Sequence, residues 1–393
     1  MSKDKYSKCY ETNLIHGGSA RSQFWETSEA IYMNSGFTYE SAEQAAARFS
    51  GDEPGFVYSR YANPTVNMFE ERLRLLEGAE AIRTTSSGMA AVFLALGSFL
   101  KAGDHLVAAR ALFGSCLYIA ETVLPRFGVE TTIIDGCDLT AWKEAIKPNT
   151  RAFFFETPTN PTLEIIDIAA VAEIAQKHNI EVVVDNVFAT PLYQSPLELG
   201  ATVVTYSATK HIDGQGRALG GAVLARQEFI DEYVHDFHRH TGPSLSPFNA
   251  WTLLKGMETL NLRVDKATEN AAQLADLLSN QKKINHIRYP HHKSHPHYDI
   301  AKKQMKKGST LLAFEVEGGQ KAAFNLANRL ETILISNNLG DAKSLITHPT
   351  TTTHRSLTEE QRLNLGITPG ILRLSVGCEA IEDLEKDLLN ALS

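Results

Sequence analysis

The segment RAFFFETPTNPTLEIIDIAAVAEIAQKHNIEVVVD (151–185) decides the fold class. It opens and closes on short apolar runs rich in β-branched and aromatic residues, RAFFFE (151–156) and IEVVVD (180–185), of the length of buried strands. Between them Ile168, Val171, Ala172 and Ala175 follow an i, i+3, i+4, i+7 pattern, the apolar face of one helix. Strand, helix, strand is a βαβ unit. The same grammar extends to DHLVAA (104–109), VETTII (129–134) and TVVTYS (202–207), predicting an α/β fold around a mostly parallel sheet. In such sheets ligands gather beyond the carboxyl ends of the strands.

Outward from this core the text divides in three. Residues 1–50 carry scattered aromatics (Phe24, Trp25, Tyr32, Phe37, Tyr39) without a repeating pattern and read as an N-terminal arm packed on something else. Residues 51–246 hold the strand-helix alternation. Residues 247–393 begin with one long helical pattern over 251–278, continue through the polar loop HIRYPHHKSHPHY (286–298), and end as a smaller α/β domain.

Composition narrows the function. The 393 residues are 43% hydrophobic and 21% charged, ordinary for a globular protein and long enough for more than one domain. With 38 Lys plus Arg against 46 Asp plus Glu, the net charge of −8 excludes broad attraction to nucleic acid or anionic lipid. Cys9, Cys116, Cys137 and Cys378 show no metal or redox spacing, the N-terminus is polar, and no run reaches a membrane span; the expectation is a cytoplasmic protein.

Two polar residues follow buried strands: Asp185 ends IEVVVD, and Lys210 comes just after TVVTYS. Singly, each reads as a cap or a surface charge. With Ser207 and Thr209 they form the set that pyridoxal phosphate requires: a Schiff-base lysine, hydroxyls for a phosphate, and an acid for the pyridine nitrogen. In TTSSGMAAVFLALGSFL (84–100), Ser86, Ser87 and Gly88 precede a helix whose N–H groups and positive end suit a phosphate, although an ordinary serine cap explains the same letters.

Six segments, YSRYANPT (58–65), SSGMAA (86–91), ETPTNPT (156–162), VVVDNVFATP (182–191), YSATKHIDGQGR (206–217) and LRLSVGCE (372–379), resemble in order the motifs of the Cys/Met-metabolism family of PLP-dependent transsulfuration enzymes. Within it, DGQGR (213–217) and NNLGDAKSLITHPTTTTH (337–354) look most like the branch that joins O-succinylhomoserine to sulfide.

The resemblance implies the PLP-dependent transferase fold of aspartate aminotransferase type (fold type I). It implies that Lys210 holds the cofactor and shuttles protons, and that Asp185 pairs with the pyridinium. Ser207, Thr209, Ser87 and the backbone of Gly88 and Met89 would bind the phosphate. Tyr58 and Arg60 would reach the phosphate of a neighbouring subunit, so at least a dimer, usually a homotetramer, is expected. Asn160 would lie near cofactor and substrate, Arg373 would clamp the α-carboxylate, and Asn338 would join them at the substrate.

The chain departs from the family at ALFGSC (111–116), where Phe113 replaces the tyrosine that stacks on the ring. Stacking survives, and steps assigned to that phenol fall to Lys210, Tyr58 or the substrate amine. The implied reaction is γ-replacement, with homocysteine and succinate as products. The rivals are a cystathionine γ-synthase or γ-lyase on the same fold, and a non-catalytic PLP-binding protein.

Three features are assigned plainer roles. The histidines His286, His291, His292, His295 and His297 lack the ligand spacing of a metal site and read as a solvated loop. Lys302, Lys303, Lys306 and Lys307 read as one solvent-facing helical face. Arg217 is a candidate for the distal succinyl carboxylate, with a backbone-bracing role as the simpler reading.

Overall fold

The structure, a computed structural model, describes residues 9–393; the first eight residues of the arm lie outside it. Seven strands, β1 (Ala81–Thr85), β2 (His105–Ala109), β3 (Glu130–Ile134), β4 (Thr150–Glu156), β5 (Glu181–Asp185), β6 (Val203–Ser207) and β7 (Gly221–Ala225), form one sheet in the order β1-β7-β6-β5-β4-β2-β3. From β3 to β6 neighbouring strands are parallel, whereas β7 runs antiparallel to both β6 and β1. The five apolar runs of the sequence are thus all strands of the sheet. The two it did not single out, β1 and β7, are the antiparallel pair: AIRTT carries polar residues, and GAVLA follows a glycine-rich stretch that reads as loop.

Helices cover both faces. Ile168–Gln176 is capped by Asp167, whose carboxylate accepts the Ala170 N–H at 3.0 Å, and buries Ile168, Val171, Ala172 and Ala175 against Phe153, Phe155, Val182 and Val184. On the other face the helix Gly88–Gly97 buries Ala91, Val92, Leu94 and Ala95 against Phe154, Val183 and Val223. Because β4, β5 and β6 are parallel, Glu156, Asp185 and Ser207 end at one edge of the sheet, with Glu156 opposite Asp185 in register.

A second sheet holds β8 (Ile284–Arg288), β9 (Leu311–Val316), β10 (Leu334–Ile335), β11 (Leu345–Thr347) and β12 (Ile371–Ser375) in the order β10-β11-β12-β9-β8. Pairings are antiparallel except β10 with β11. Leu274, Leu278, Leu326, Leu384 and Leu388 from its helices close a core over Leu312, Phe314, Leu372 and Leu374.

The helical pattern over 251–278 is two helices, Pro247–Met257 and Leu260–Ser279. At the break, Arg72 Nη1 donates to Leu254 O at 3.2 Å and Arg263 Nη2 to Gly256 O at 2.7 Å, so side chains satisfy the terminal carbonyls. Ala250, Leu253, Leu254, Met257, Leu260 and Val264 pack in one core with Leu73 and Leu224, on the large sheet.

The histidine-rich segment is not a solvated loop. His295 is buried, with Nε2 3.0 Å from Leu163 O, and His297 Nδ1 accepts the Ile165 N–H at 3.1 Å, so the segment buttresses the turn after β4. His286 sits on β8, near Glu315. Nor do the four lysines share a helix: Tyr298–Gln304 carries Lys302 and Lys303, whereas Lys307, beyond its end, pairs with Asp265 at 2.5 Å. Met305 has to turn inward there and is buried, which ends the periodic exposure. Among the described residues no helix is long and apolar enough to cross a membrane.

Candidate active site

A cavity of about 240 Å³ opens where the carboxyl ends of β4, β5 and β6 face β12 of the second sheet. Ser87, Gly88, Met89, Phe113, Asn160, Asp185, Ser207, Thr209, Lys210 and Arg373, ten of the residues read from sequence, line it.

One end is a cradle for an anion. Ser87 caps the helix Gly88–Gly97, its Oγ accepting the Ala90 N–H at 3.2 Å, and the first N–H groups of that helix have no intrahelical partner. A Cβ on Gly88 would lie 2.5 Å from Ser207 Cβ, so only glycine lets the helix end approach the hydroxyl this closely. Ser207 Oγ makes no hydrogen bond among the described residues, while Thr209 Oγ1 is tied to Gly220 O at 3.3 Å and Gly220 N at 3.2 Å. The serine-cap and phosphate readings of Ser87 are therefore compatible: its side chain caps while the backbone stays open.

At the sheet edge Asp185 is buried, and burial pushes its carboxyl up to about 7 against the opposing Val187 N–H, which donates to Oδ1 at 3.1 Å. Glu156, on the adjacent strand, is pushed higher than its ordinary range, first by burial and then by the charge of Asp185; its Oε2 accepts the Phe113 N–H at 2.8 Å. Two desolvated carboxyl groups side by side make a site that a cation would stabilise, pulling Asp185 back to its ionised form.

Lys210 Nζ donates to Asn338 Oδ1 at 2.7 Å. Burial, then the nearby Arg373 charge, lower its pKa to about 8, so a useful fraction is neutral and nucleophilic near physiological pH. Arg373 is buried; Nη1 donates to Asn160 Oδ1 at 2.8 Å and Nη2 to the carbonyls of Asn337 and Asn338 at 2.9 and 3.3 Å, while Nε has no partner. An orphaned guanidinium N–H in a buried cavity is a ready donor to a carboxylate.

Two predicted residues are elsewhere. Tyr58 and Arg60 line a separate cleft with Asn34 and Ser246, Arg60 lying over the Tyr58 and Tyr61 rings and donating to Arg239 O. One chain does not bring them to its own Lys210. Asn338 reaches the site through its bond to the lysine.

Sequence reasoning passed over Glu156, although it ends a buried strand just as Asp185 does, and the same rule would have found it. Cys116, Phe188 and Thr353 also line the cavity; no sequence signal set them apart, because tertiary packing alone brings them there.

A family profile described as "Cys/Met metabolism PLP-dependent enzyme" matches residues 11–393. The chain belongs to this family. Among curated members of the Cys/Met-metabolism family, it is 52% identical over 383 residues to an O-succinylhomoserine sulfhydrylase of Mycobacterium tuberculosis, covering 96% of this chain and 94% of that one. It is 42% identical to an L-methionine gamma-lyase of Treponema denticola, covering 98% and 96% of the two chains. A crystal structure of the Campylobacter jejuni protein assigned as an O-acetylhomoserine (thiol)-lyase, carrying N′-pyridoxyl-lysine-5′-monophosphate, superposes with a TM-score of 0.93 at 35% identity over 98% of this chain and 99% of that one.

Pyridoxal phosphate is accordingly the cofactor of this family member, and the cavity's donor set fits it: an anion cradle whose room a Cβ would fill, a buried acid, and a lysine held partly neutral. The fold is that of the PLP-dependent fold type I enzymes, as the six motifs imply.

Proposed function

We propose that this chain is an O-succinylhomoserine sulfhydrylase, converting O-succinylhomoserine and sulfide to homocysteine and succinate. The observation that carries the reading is the convergence of Lys210, Asp185 and Arg373 on one buried cavity. Similarity to the M. tuberculosis sulfhydrylase exceeds that to the T. denticola lyase, which favours replacement over elimination.

Bound at Lys210, pyridoxal phosphate supplies an electron sink for the pair left when Cα loses its proton. The residues do the rest. Gly88 and Met89 N–H groups with Ser87, Ser207 and Thr209 would hold the phosphate. Asp185 would keep a proton at the ring nitrogen. Phe113, its backbone N–H held by Glu156, would offer the ring an apolar face. Arg373 and Asn160 fix the α-carboxylate, with Asn338 beside the lysine. Lys210 Nζ, close to neutrality by burial, takes the Cα proton and redelivers it. Loss of a Cβ proton supplies the electron pair that expels succinate as the Cγ–O bond breaks, and sulfide then adds at Cγ with protons returned to Cβ and Cα.

We also propose that Tyr58 and Arg60 complete the cavity of a neighbouring subunit in at least a dimer, in a homotetramer as the resemblance implies, with Tyr58 taking part in proton transfer. The distance of both from their own Lys210 cavity and the exposure of Phe24 (80%) and Trp25 (81%) on the arm support this. The arm would contact the partner; the seam between the large and C-terminal domains, read at 247, is better set beyond Val264, since residues 250–264 pack on the large sheet. A cytoplasmic setting is in keeping with Cys116, Cys137 and Cys378 forming no disulfide.

The test is product analysis of purified enzyme given O-succinylhomoserine with sulfide and cysteine in competition. Homocysteine as the main product supports the reading; cystathionine moves the chain to the synthase activity, and an α-keto acid with no sulfur product to the lyase.

A further inference from the structure

Arg373 accounts for one carboxylate of the proposed substrate, but a succinyl ester carries a second at the far end of its acyl chain. Arg217 does not serve it. Its backbone N–H and Nε donate to Asp213 Oδ2 and Oδ1 at 2.6 and 3.1 Å, and Nη2 donates to Asp213 O at 3.1 Å, so the guanidinium braces its own loop and does not line the cavity.

A second cleft, of about 650 Å³, adjoins the first, and Asn337 and Thr353 line both. It begins at the strand next to the α-carboxylate site, for its wall includes Thr347 of β11, which pairs with Arg373 of β12. Phe324, Ile335 and Ile346 give it an apolar side suited to methylenes.

Its polar groups are mostly committed to one another. Thr347 Oγ1 bonds Thr352 Oγ1 at 2.9 Å, Thr353 Oγ1 bonds His354 Nδ1 at 2.8 Å, and His348 bonds Thr351 Oγ1 and Pro369 O, both at 2.9 Å. Burial lowers the His348 pKa, keeping the ring neutral. Among the described residues no Asp or Glu lines the cleft. Arg355 is the exception: it is exposed, and among the described residues its guanidinium has neither a hydrogen bond nor an ion pair. A cleft with one uncommitted cation and no acid selects an anion.

We propose that this cleft receives the acyl chain of the substrate and that Arg355 pairs with its distal carboxylate, making Arg355 the residue that distinguishes a succinyl from an acetyl ester. The inference rests on the γ-replacement reading above. A guanidinium offers a carboxylate two parallel N–H donors, and an acetyl ester offers nothing in return.

The experiment measures kcat and KM for O-succinylhomoserine and O-acetylhomoserine, each with sulfide, on wild-type holoenzyme and on Arg355→Gln and Arg355→Lys. The expected result is a loss of roughly tenfold in kcat/KM for the succinyl ester in Arg355→Gln, carried by KM, with the acetyl ester within about twofold of wild type and partial recovery in Arg355→Lys. Equal change for both esters, or no change for either, in an enzyme whose wild type turns over the succinyl ester overturns the role of Arg355 and leaves the γ-replacement reading standing. A wild type that turns over neither ester with sulfide overturns that reading, and this inference with it.

Discussion

Glu156 Oε2 accepts the backbone N–H of Phe113 at 2.8 Å, so the carboxyl end of β4 anchors the residue whose ring faces the cofactor cavity. The same carboxyl group stands in register with Asp185 on β5, and burial, then the Asp185 charge, raise the cost of ionising Glu156. Glu156→Gln keeps an acceptor for the Phe113 N–H and replaces a carboxyl group that burial holds neutral, so cofactor affinity should hold. Glu156→Ala leaves that N–H unpaired and should weaken cofactor binding roughly tenfold, as leaving a buried donor without its acceptor does. Titrating apoenzyme with pyridoxal phosphate by absorbance separates the two; equal affinity of both variants would show that the anchor is unimportant.

Lys210→Ala should abolish turnover while leaving the fold intact, and the absorbance of lysine-bound cofactor should vanish. A variant with wild-type turnover would overturn the mechanism.

The depressed lysine also sets a pH dependence. Only the neutral amine attacks the cofactor aldehyde, and it accumulates as pH rises through about 8 in the apoenzyme. The rate of cofactor incorporation should therefore climb from pH 6 to a plateau above ~9. Arg373→Gln removes a positive neighbour, so its midpoint should move to higher pH. A midpoint near that of an exposed lysine in the wild type would contradict the burial argument.

Gly88→Ala tests the anion cradle. The added methyl would press on Ser207 Cβ at 2.5 Å, forcing the helix end away from β6, so the cofactor dissociation constant should rise by at least roughly tenfold, seen equally with inorganic phosphate as competitor. Unchanged affinity would place the phosphate elsewhere.

The arm is fastened by a buried ion network. Arg72 donates to Glu29 Oε1 at 2.9 Å, to Ser19 Oγ at 2.8 Å and to Gly17 O at 2.8 Å, and Lys255 Nζ donates to Glu29 Oε2 at 2.8 Å. Arg72→Ala leaves a buried carboxylate short of one of its two cationic partners and should cost about 3 kcal/mol in urea unfolding. Burial opposes ionisation of Glu29, but hydrogen bonds from Lys255 and Ser19 and the Arg72 charge outweigh it, holding the carboxyl at about 2. The folded form thus prefers the carboxylate: its stabilisation is complete above the ordinary carboxyl pKa of 4.5 and is lost as pH falls towards 2. Glu29→Gln should flatten the acid limb of stability between pH 5 and ~2. An unaltered acid limb would show that the network does not govern it.

The central sheet was legible because β2, β4, β5 and β6 are buried along most of their length and read as largely apolar runs, a signal that needs no partner to be seen. Asp185 and Lys210 were legible for a related reason, being polar residues at the ends of such runs. Strands β1 and β7 were not, since AIRTT and GAVLA become strands only by pairing with each other and with β6. The single helix expected over 251–278 failed likewise: its interruption is satisfied by the Arg72 guanidinium, from a helix far away in sequence, and by Arg263 of the second half folding back on Gly256 O.

Sequence alone determined the α/β class, the family and the cofactor, and singled out the lysine, acid and arginine that line one cavity, because each is written in local periodicity or in a short motif. Tertiary structure decided which charges are spent and which are free. Arg217 is consumed by Asp213 four residues away, His295 and His297 by the backbone after β4, and Arg355 is left uncommitted beside the cavity. Pairing depends on what the fold brings within about 3 Å of a side chain, and that distance is set by contacts between segments far apart in sequence.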